Sequence, residues 1–175
     1  VGTRDGKILA LDRTNGTTKW IFPIEDSIEP FYATPAISED GILYVGGYDG
    51  DLYAINTVNI NSMGNVPTLD EARIFSSGAS IIASPVITSD AVVVASSNGS
   101  IYSLNRINGA LNWKFETGNK IWSTPVIDGA NIYFGSLDHN LYALNLKNGR
   151  ELWNFPTRAA IAAQPLVIDK NIFIG

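Results

Sequence analysis

The sequence predicts an all-β protein built from four-stranded antiparallel blades, three of them whole and two partial. Three observations predict it. A short phrase recurs, as VGTRDGKILAL at residue 1, YVGGYDGDLYAI at residue 44, VASSNGSIYSL at residue 94 and YFGSLDHNLYAL at residue 133. The turn pairs inside it, Asp5-Gly6, Asp49-Gly50, Asn98-Gly99 and Asp138-His139, fall at intervals of 44, 49 and 40 residues, the spacing of a repeat architecture. No segment sustains a 3.6-residue apolar period over three turns, which leaves helix almost no place.

Residues 123–155 spell out one unit. STPVID is its first strand, with proline at an end where a missing N–H is tolerated. A turn at 128–130 leads to NIYFGS, a second at 137–139 leads to NLYALN, and Lys147-Asn148-Gly149 turns the chain into RELWNF. Each strand is about 5–6 residues long, and the Asn-Gly and Asp-Gly pairs supply the positive φ that tight hairpins require. Four antiparallel strands in about 40 residues make a blade of a β-propeller. The first strand is marked again by Thr34-Pro35, Ser84-Pro85 and Gln164-Pro165, and the last by Trp20, Trp113 and Trp153. The blades fall at 33–76, 83–116 and 123–155, with partial ones at 1–22 and 163–175. Both ends interrupt the repeat at the same point, in its second strand, so the sequence reads as a segment of a longer propeller.

Composition narrows the function classes. With 45% hydrophobic and 17% charged residues and a mean hydropathy of +0.07, the chain has material for a packed core. Its apolar runs, such as AVVVA at 91–95, are strand-sized and far short of the roughly 20 residues of a membrane-spanning helix. A net charge of −5 with scattered Lys and Arg offers no basic stripe for nucleic acid. The absence of cysteine excludes disulfides, Cys-ligated zinc, iron–sulfur clusters and thiol catalysis. His139 is the single histidine and stands in a turn, which excludes a multi-histidine metal site or a histidine triad within the segment. Asp49-Gly50-Asp51 lacks the further alternating oxygen donors of a calcium loop, and no glycine-rich phosphate cradle is present. No catalytic, cofactor or metal residue is expected here.

The third strand closes on Asp12, Asn56, Asn105 or Asn145, followed in three units by Asn-Gly at 15–16, 108–109 and 148–149 and then by Trp. This pattern resembles the PQQ-type propeller repeat, roughly YVGSxDGxLYALDxxTGxxxW, over essentially the whole chain. The resemblance implies that Trp20, Trp113 and Trp153 pack between blades. Burying 150–250 Å² of indole at roughly 25 cal/mol/Å² is worth at most about 4–6 kcal/mol. It also implies an extracytoplasmic location, in the periplasm or cell envelope. Quinoprotein alcohol dehydrogenases of the family hold pyrroloquinoline quinone, typically with Ca²⁺; both are conceivable in a longer parent and unsupported by these residues. Other members are non-catalytic interaction scaffolds, in outer-membrane assembly and in sensor domains. The expected function is a protein-interaction scaffold; the alternatives are part of a quinoprotein dehydrogenase with its active site elsewhere, or a ligand-sensing propeller.

Two departures from the repeat mark candidate surfaces. In such propellers the proline strand is innermost, so Tyr32, Ile82, Trp122 and Ala162, at its start, should line the mouth of the central funnel; Trp122 stands out. The segment IFPIEDSIEPFYAT between Trp20 and Pro35 carries Glu25, Asp26, Glu29, Phe31 and Tyr32, a candidate acidic and aromatic rim. The unit at 44–76 is about nine residues longer than its neighbours, has Ile74 in the place of Trp, and makes 57–71 either a recognition loop or a tolerated insertion. The expected partners are proteins and the remaining blades of the parent.

Overall fold

Each blade grows from its middle hairpin, and the turn aspartate makes that hairpin. Asp49 accepts from the backbone N–H of Asp51 at 3.0 Å and from the Tyr53 hydroxyl at 2.7 Å. Asp138 does the same with Asn140 and Tyr142. Asn98 accepts from the N–H of Ser100 and donates to the Tyr102 hydroxyl. The residue after the acid takes positive φ, +91° at Gly50 and +72° at His139, and the chain reverses.

The computed structural model describes residues 1–24, 28–60 and 65–175. Three four-stranded antiparallel sheets run in chain order: β3 (Ala36–Ile37), β4 (Ile42–Gly46), β5 (Asp51–Asn56) and β6 (Arg73–Ser76); β7 (Val86–Ile87), β8 (Ala91–Ala95), β9 (Ser100–Asn105) and β10 (Leu111–Glu116); β11 (Val126–Asp128), β12 (Asn131–Gly135), β13 (Asn140–Asn145) and β14 (Glu151–Pro156). Two-stranded sheets flank them, β1 (Ile8–Leu11) with β2 (Thr18–Phe22), and β15 (Leu166–Ile168) with β16 (Asn171–Phe173). Among the described residues, helix is confined to a 3₁₀ turn at Thr57–Asn59 and to α1 (Leu69–Ala72), both in the insertion. A capping box between Thr68 and Glu71 starts α1.

The core lies between blades rather than within them. One cluster joins Ile8, Trp20 and Phe22 to Phe31, Val45, Tyr53 and Ile55 of the next blade. A second joins Tyr44 and Leu52 to Ile81, Val92, Val94, Tyr102 and Leu104. A third joins Val93, Ala95, Ile101 and Trp113 to Ile121, Ile132, Phe134, Tyr142 and Leu144. The blade β7–β10 is thus covered on both faces, and all five residues of β8 are buried, which is why AVVVA reads as an unbroken apolar run. All six residues of β14 are exposed.

Close approach at these junctions is set by glycine. A Cβ built on Gly46 would lie 2.2 Å from Cγ2 of Ile81, and one on Gly135 at the same distance from Ile161. Ile81 is fully buried and has no room to retreat. Gly46→Ala is therefore expected to cost roughly 1–2 kcal/mol by overpacking, read from urea unfolding.

The innermost strands are β3, β7, β11 and β15; β3 touches β7, and β11 touches β15. A relay of hydroxyls ties β3, β7 and β11 at the residue before the proline. The N–H of Thr34 donates to Oγ of Ser84 at 3.2 Å, and the N–H of Ser84 donates to Oγ1 of Thr124 at 3.1 Å.

Candidate interaction surface

The rim of the hub is shaped by one repeated hydrogen bond. The N–H groups of Phe31, Ile81, Ile121 and Ile161 donate to the carbonyls of Thr3, Gly47, Ser96 and Ser136, in the middle hairpin of the preceding blade. That bond turns residues 31, 81, 121 and 161 inward, where all four are buried. The next residue is turned the other way. Tyr32 is 51% and Trp122 42% exposed, Ala162 is exposed and Ile82 is half-buried.

The alternation corrects the expectation for Phe31, which is 4% exposed and packs edge-on against Tyr53 with ring centroids 5.9 Å apart. It belongs to the junction, not to the rim. Glu29 is exposed, while Glu25 and Asp26 lie outside the described residues. Tyr48, from the turn of the same blade, joins the surface: it is 49% exposed, meets Tyr32 edge-on at 5.6 Å, and its N–H donates to the carbonyl of Pro30 at 3.1 Å. The signal for Tyr48 was its place. Tyr48, Ser97, Leu137 and Arg4 precede the turn acid in successive units and share no chemistry, as a position free of packing duty would allow.

The three outer-strand tryptophans have different surroundings. Trp113 is buried under the turn of the next blade, its Nε1–H donating to the carbonyl of Leu146 at 2.9 Å. Trp20 is buried in a cluster that includes Ile60, Val66 and Leu69 from the 57–71 insertion, whose described part thereby faces inward at these residues. Trp153 is 41% exposed. Ile74 occupies the corresponding place in its blade by way of a bulge, since Tyr53 pairs with Arg73 and Leu52 with Phe75, leaving Ile74 as the extra residue under Gly109.

Several ionisable groups are committed to the frame. Burial opposes ionisation of Asp138, but hydrogen bonds from Tyr142, the N–H of Gly118 and Asn140 outweigh it and hold the carboxyl below its ordinary range. Burial, then the neighbouring aspartate, pushes Tyr53 and Tyr142 above the ordinary tyrosine range. Arg106 bridges two blades through both oxygens of Asp40 at 2.9 Å and the carbonyl of Ser89 at 2.8 Å. Among the described residues, no three Asp, Glu or His side chains gather in a way that could hold a metal ion.

A family model described as the outer membrane protein assembly factor BamB matches residues 61–174, more than half of the chain. The chain belongs to this family of PQQ-type repeats. Among solved structures it is similar to BamB from Moraxella catarrhalis, with 22% identity and a TM-score of 0.74 over 98% of this chain and 50% of that one. It is also similar to two computationally designed proteins. With Ika8 it shares 14% identity and a TM-score of 0.81 over 99% of this chain and 51% of that one. With Ika4 it shares 14% identity and a TM-score of 0.72 over 91% of this chain and 92% of that one. These likenesses establish a partial β-propeller, and the chain spans about half the length of BamB and of Ika8. No curated protein matches the sequence.

Proposed function

We propose that this PQQ-type propeller segment is a non-catalytic protein-interaction scaffold of the cell envelope, serving, as the family's description implies, in outer-membrane protein assembly. The observation that carries the reading is the rim: within a family of assembly factors, Tyr32, Tyr48 and Trp122 present large amphipathic rings to solvent, while the turn aspartates Asp49 and Asp138 are occupied by hydrogen bonds within their own hairpins. Exposed tyrosine and tryptophan on a rigid frame are the side chains that anchor protein partners. The reading needs no cofactor.

A photo-crosslinking amino acid placed at Tyr32, Tyr48 or Trp122 tests it in envelope preparations. The control site is Ile107, an outer-turn residue that is 85% exposed. Adducts with outer-membrane assembly proteins are expected from the rim and not from Ile107. Their absence, or tight calorimetric binding of pyrroloquinoline quinone with Ca²⁺, would sink the scaffold reading.

A further inference from the structure

The turns that join first to second strand and third to fourth strand lie at the end of the blades opposite the aromatic rim. Between neighbouring whole blades they border two crevices. The backbone makes the two equivalent. The N–H of Arg106 donates to the carbonyl of Asp90 at 3.2 Å, and one blade further on the N–H of Leu146 donates to the carbonyl of Ala130 at 2.9 Å. Each residue also offers its own carbonyl to an aromatic side chain of the blade before, Arg106 to the Tyr44 hydroxyl at 2.8 Å and Leu146 to the Trp113 Nε1–H at 2.9 Å.

The crevices differ in what fills them. In the first, the Arg106 guanidinium donates to both oxygens of Asp40 in the preceding blade and to the carbonyl of Ser89 in its own, and the side chain is only 18% exposed. The space left beside it, bordered by Ile42, Ile74 and Ile107, is about 290 Å³. In the second, residue 146 is a leucine that packs against the core cluster instead, and the crevice widens to about 570 Å³.

This second crevice keeps acceptors and lacks the guanidinium. Asp90 stands in the first turn of the preceding blade, as Asp40 does at the other junction. One of its oxygens accepts from the hydroxyls of Thr88 at 3.0 Å and Ser89 at 3.4 Å, and the other has no partner among the described residues. Asn112 also lines the space; its amide N–H donates to Oγ of Ser103 at 3.4 Å, which leaves its side-chain oxygen to accept. Buried Ala91 and half-buried Leu146 supply an apolar wall. Among the described residues no Lys or Arg pairs with Asp90, Lys147 on the lip included.

We propose that the crevice between the second and third whole blades receives an arginine side chain of a partner protein. Its guanidinium takes beside Asp90 the place that Arg106 takes beside Asp40, its stem lies along Ala91 and Leu146, and Asn112 accepts a further N–H. Arginine suits the site better than lysine, because its planar fork matches a carboxylate and reaches a second acceptor at the same time. The volume falls within the range of ligand-binding cavities. A chain of net charge −5 also favours a cationic partner. Both walls come from whole blades, so further blades of a longer propeller leave the crevice as it is. Being at the other end of the blades from Tyr32, Tyr48 and Trp122, it stands or falls independently of the rim.

The first probe is N-acetyl-arginine amide, titrated into the intact chain and followed by NMR. The backbone amides of Ala91, Asn112 and Leu146 are expected to shift and those of Ile42 and Ile107, beside Arg106, to stay. The citrulline counterpart, which keeps the shape and loses the charge, should shift none of them. Asp90→Asn, which alters an exposed turn side chain, should weaken arginine binding by about tenfold or more with the circular dichroism unchanged. A photo-crosslinking amino acid at exposed Ala130 is then expected, in envelope preparations, to give a protein adduct whose crosslinked peptide carries an arginine, and to lose it with Asp90→Asn. The proposal fails if arginine, lysine and citrulline amides shift the same resonances alike, or if Asp90→Asn binds as the native chain does. Binding of the probe without an arginine-bearing adduct would overturn the protein partner and make a free guanidinium compound the occupant.

Discussion

Trp113→Ala is expected to destabilise the chain by about 3–5 kcal/mol, the range for removing a buried aromatic side chain from a packed core. The indole is 8% exposed, sits in the cluster that joins the second and third whole blades, and is capped by the Gly149 turn. Against a total of about 5–15 kcal/mol for a domain, this is a large share of stability. Trp113→Phe keeps most of the ring and loses the bond to Leu146, so it should cost nearer 1 kcal/mol for the hydrogen bond plus a small volume defect. Urea unfolding followed by circular dichroism separates the two. Equal losses for both variants would mean that the hydrogen bond, not the buried area, holds the junction.

Asp138→Ala is expected to cost about 3 kcal/mol, because the carboxylate accepts from Tyr142 at 2.7 Å, Gly118 at 2.8 Å and Asn140 at 3.0 Å, and bonds to charged acceptors are the stronger kind. Asp138→Asn should cost about 1 kcal/mol, since Asn98 serves the same turn in the preceding blade. The two also differ with pH. The folded-state pKa of Asp138 is depressed, so its contribution is fully present above the ordinary carboxylate value of about 4 and is lost as pH falls through the depressed value. The native protein should lose part of its advantage over Asp138→Asn on acidification below about pH 4. An unchanged difference between them at all pH values would assign the turn to geometry alone.

Much of the fold is legible because each blade is written in turn chemistry. The Asp-Gly and Asn-Gly pairs name the hairpins, and Ser/Thr-Pro names the innermost strand. Ile74, read as standing in the tryptophan's place, lies under the Gly109 turn as the extra residue of a bulge that is invisible in sequence. The rim was harder. Phe31 and Tyr32 look alike as neighbouring aromatics in a loop, and what separates them is a backbone bond from residue 31 to Thr3 in the blade before. A clue lay in the repeats: Phe31, Ile81, Ile121 and Ile161 are uniformly large and apolar, while Tyr32, Ile82, Trp122 and Ala162 vary. Nothing in the residues themselves distinguishes Trp113 from Trp153. Their difference lies in what covers them.

The hydroxyl relay through Thr34, Ser84 and Thr124 connects the same position of successive blades. A link of that form is inherited with the blade, because duplicating a unit copies both its donor and its acceptor. Gene duplication or deletion can then lengthen or shorten such an array one module at a time without inventing a new joint.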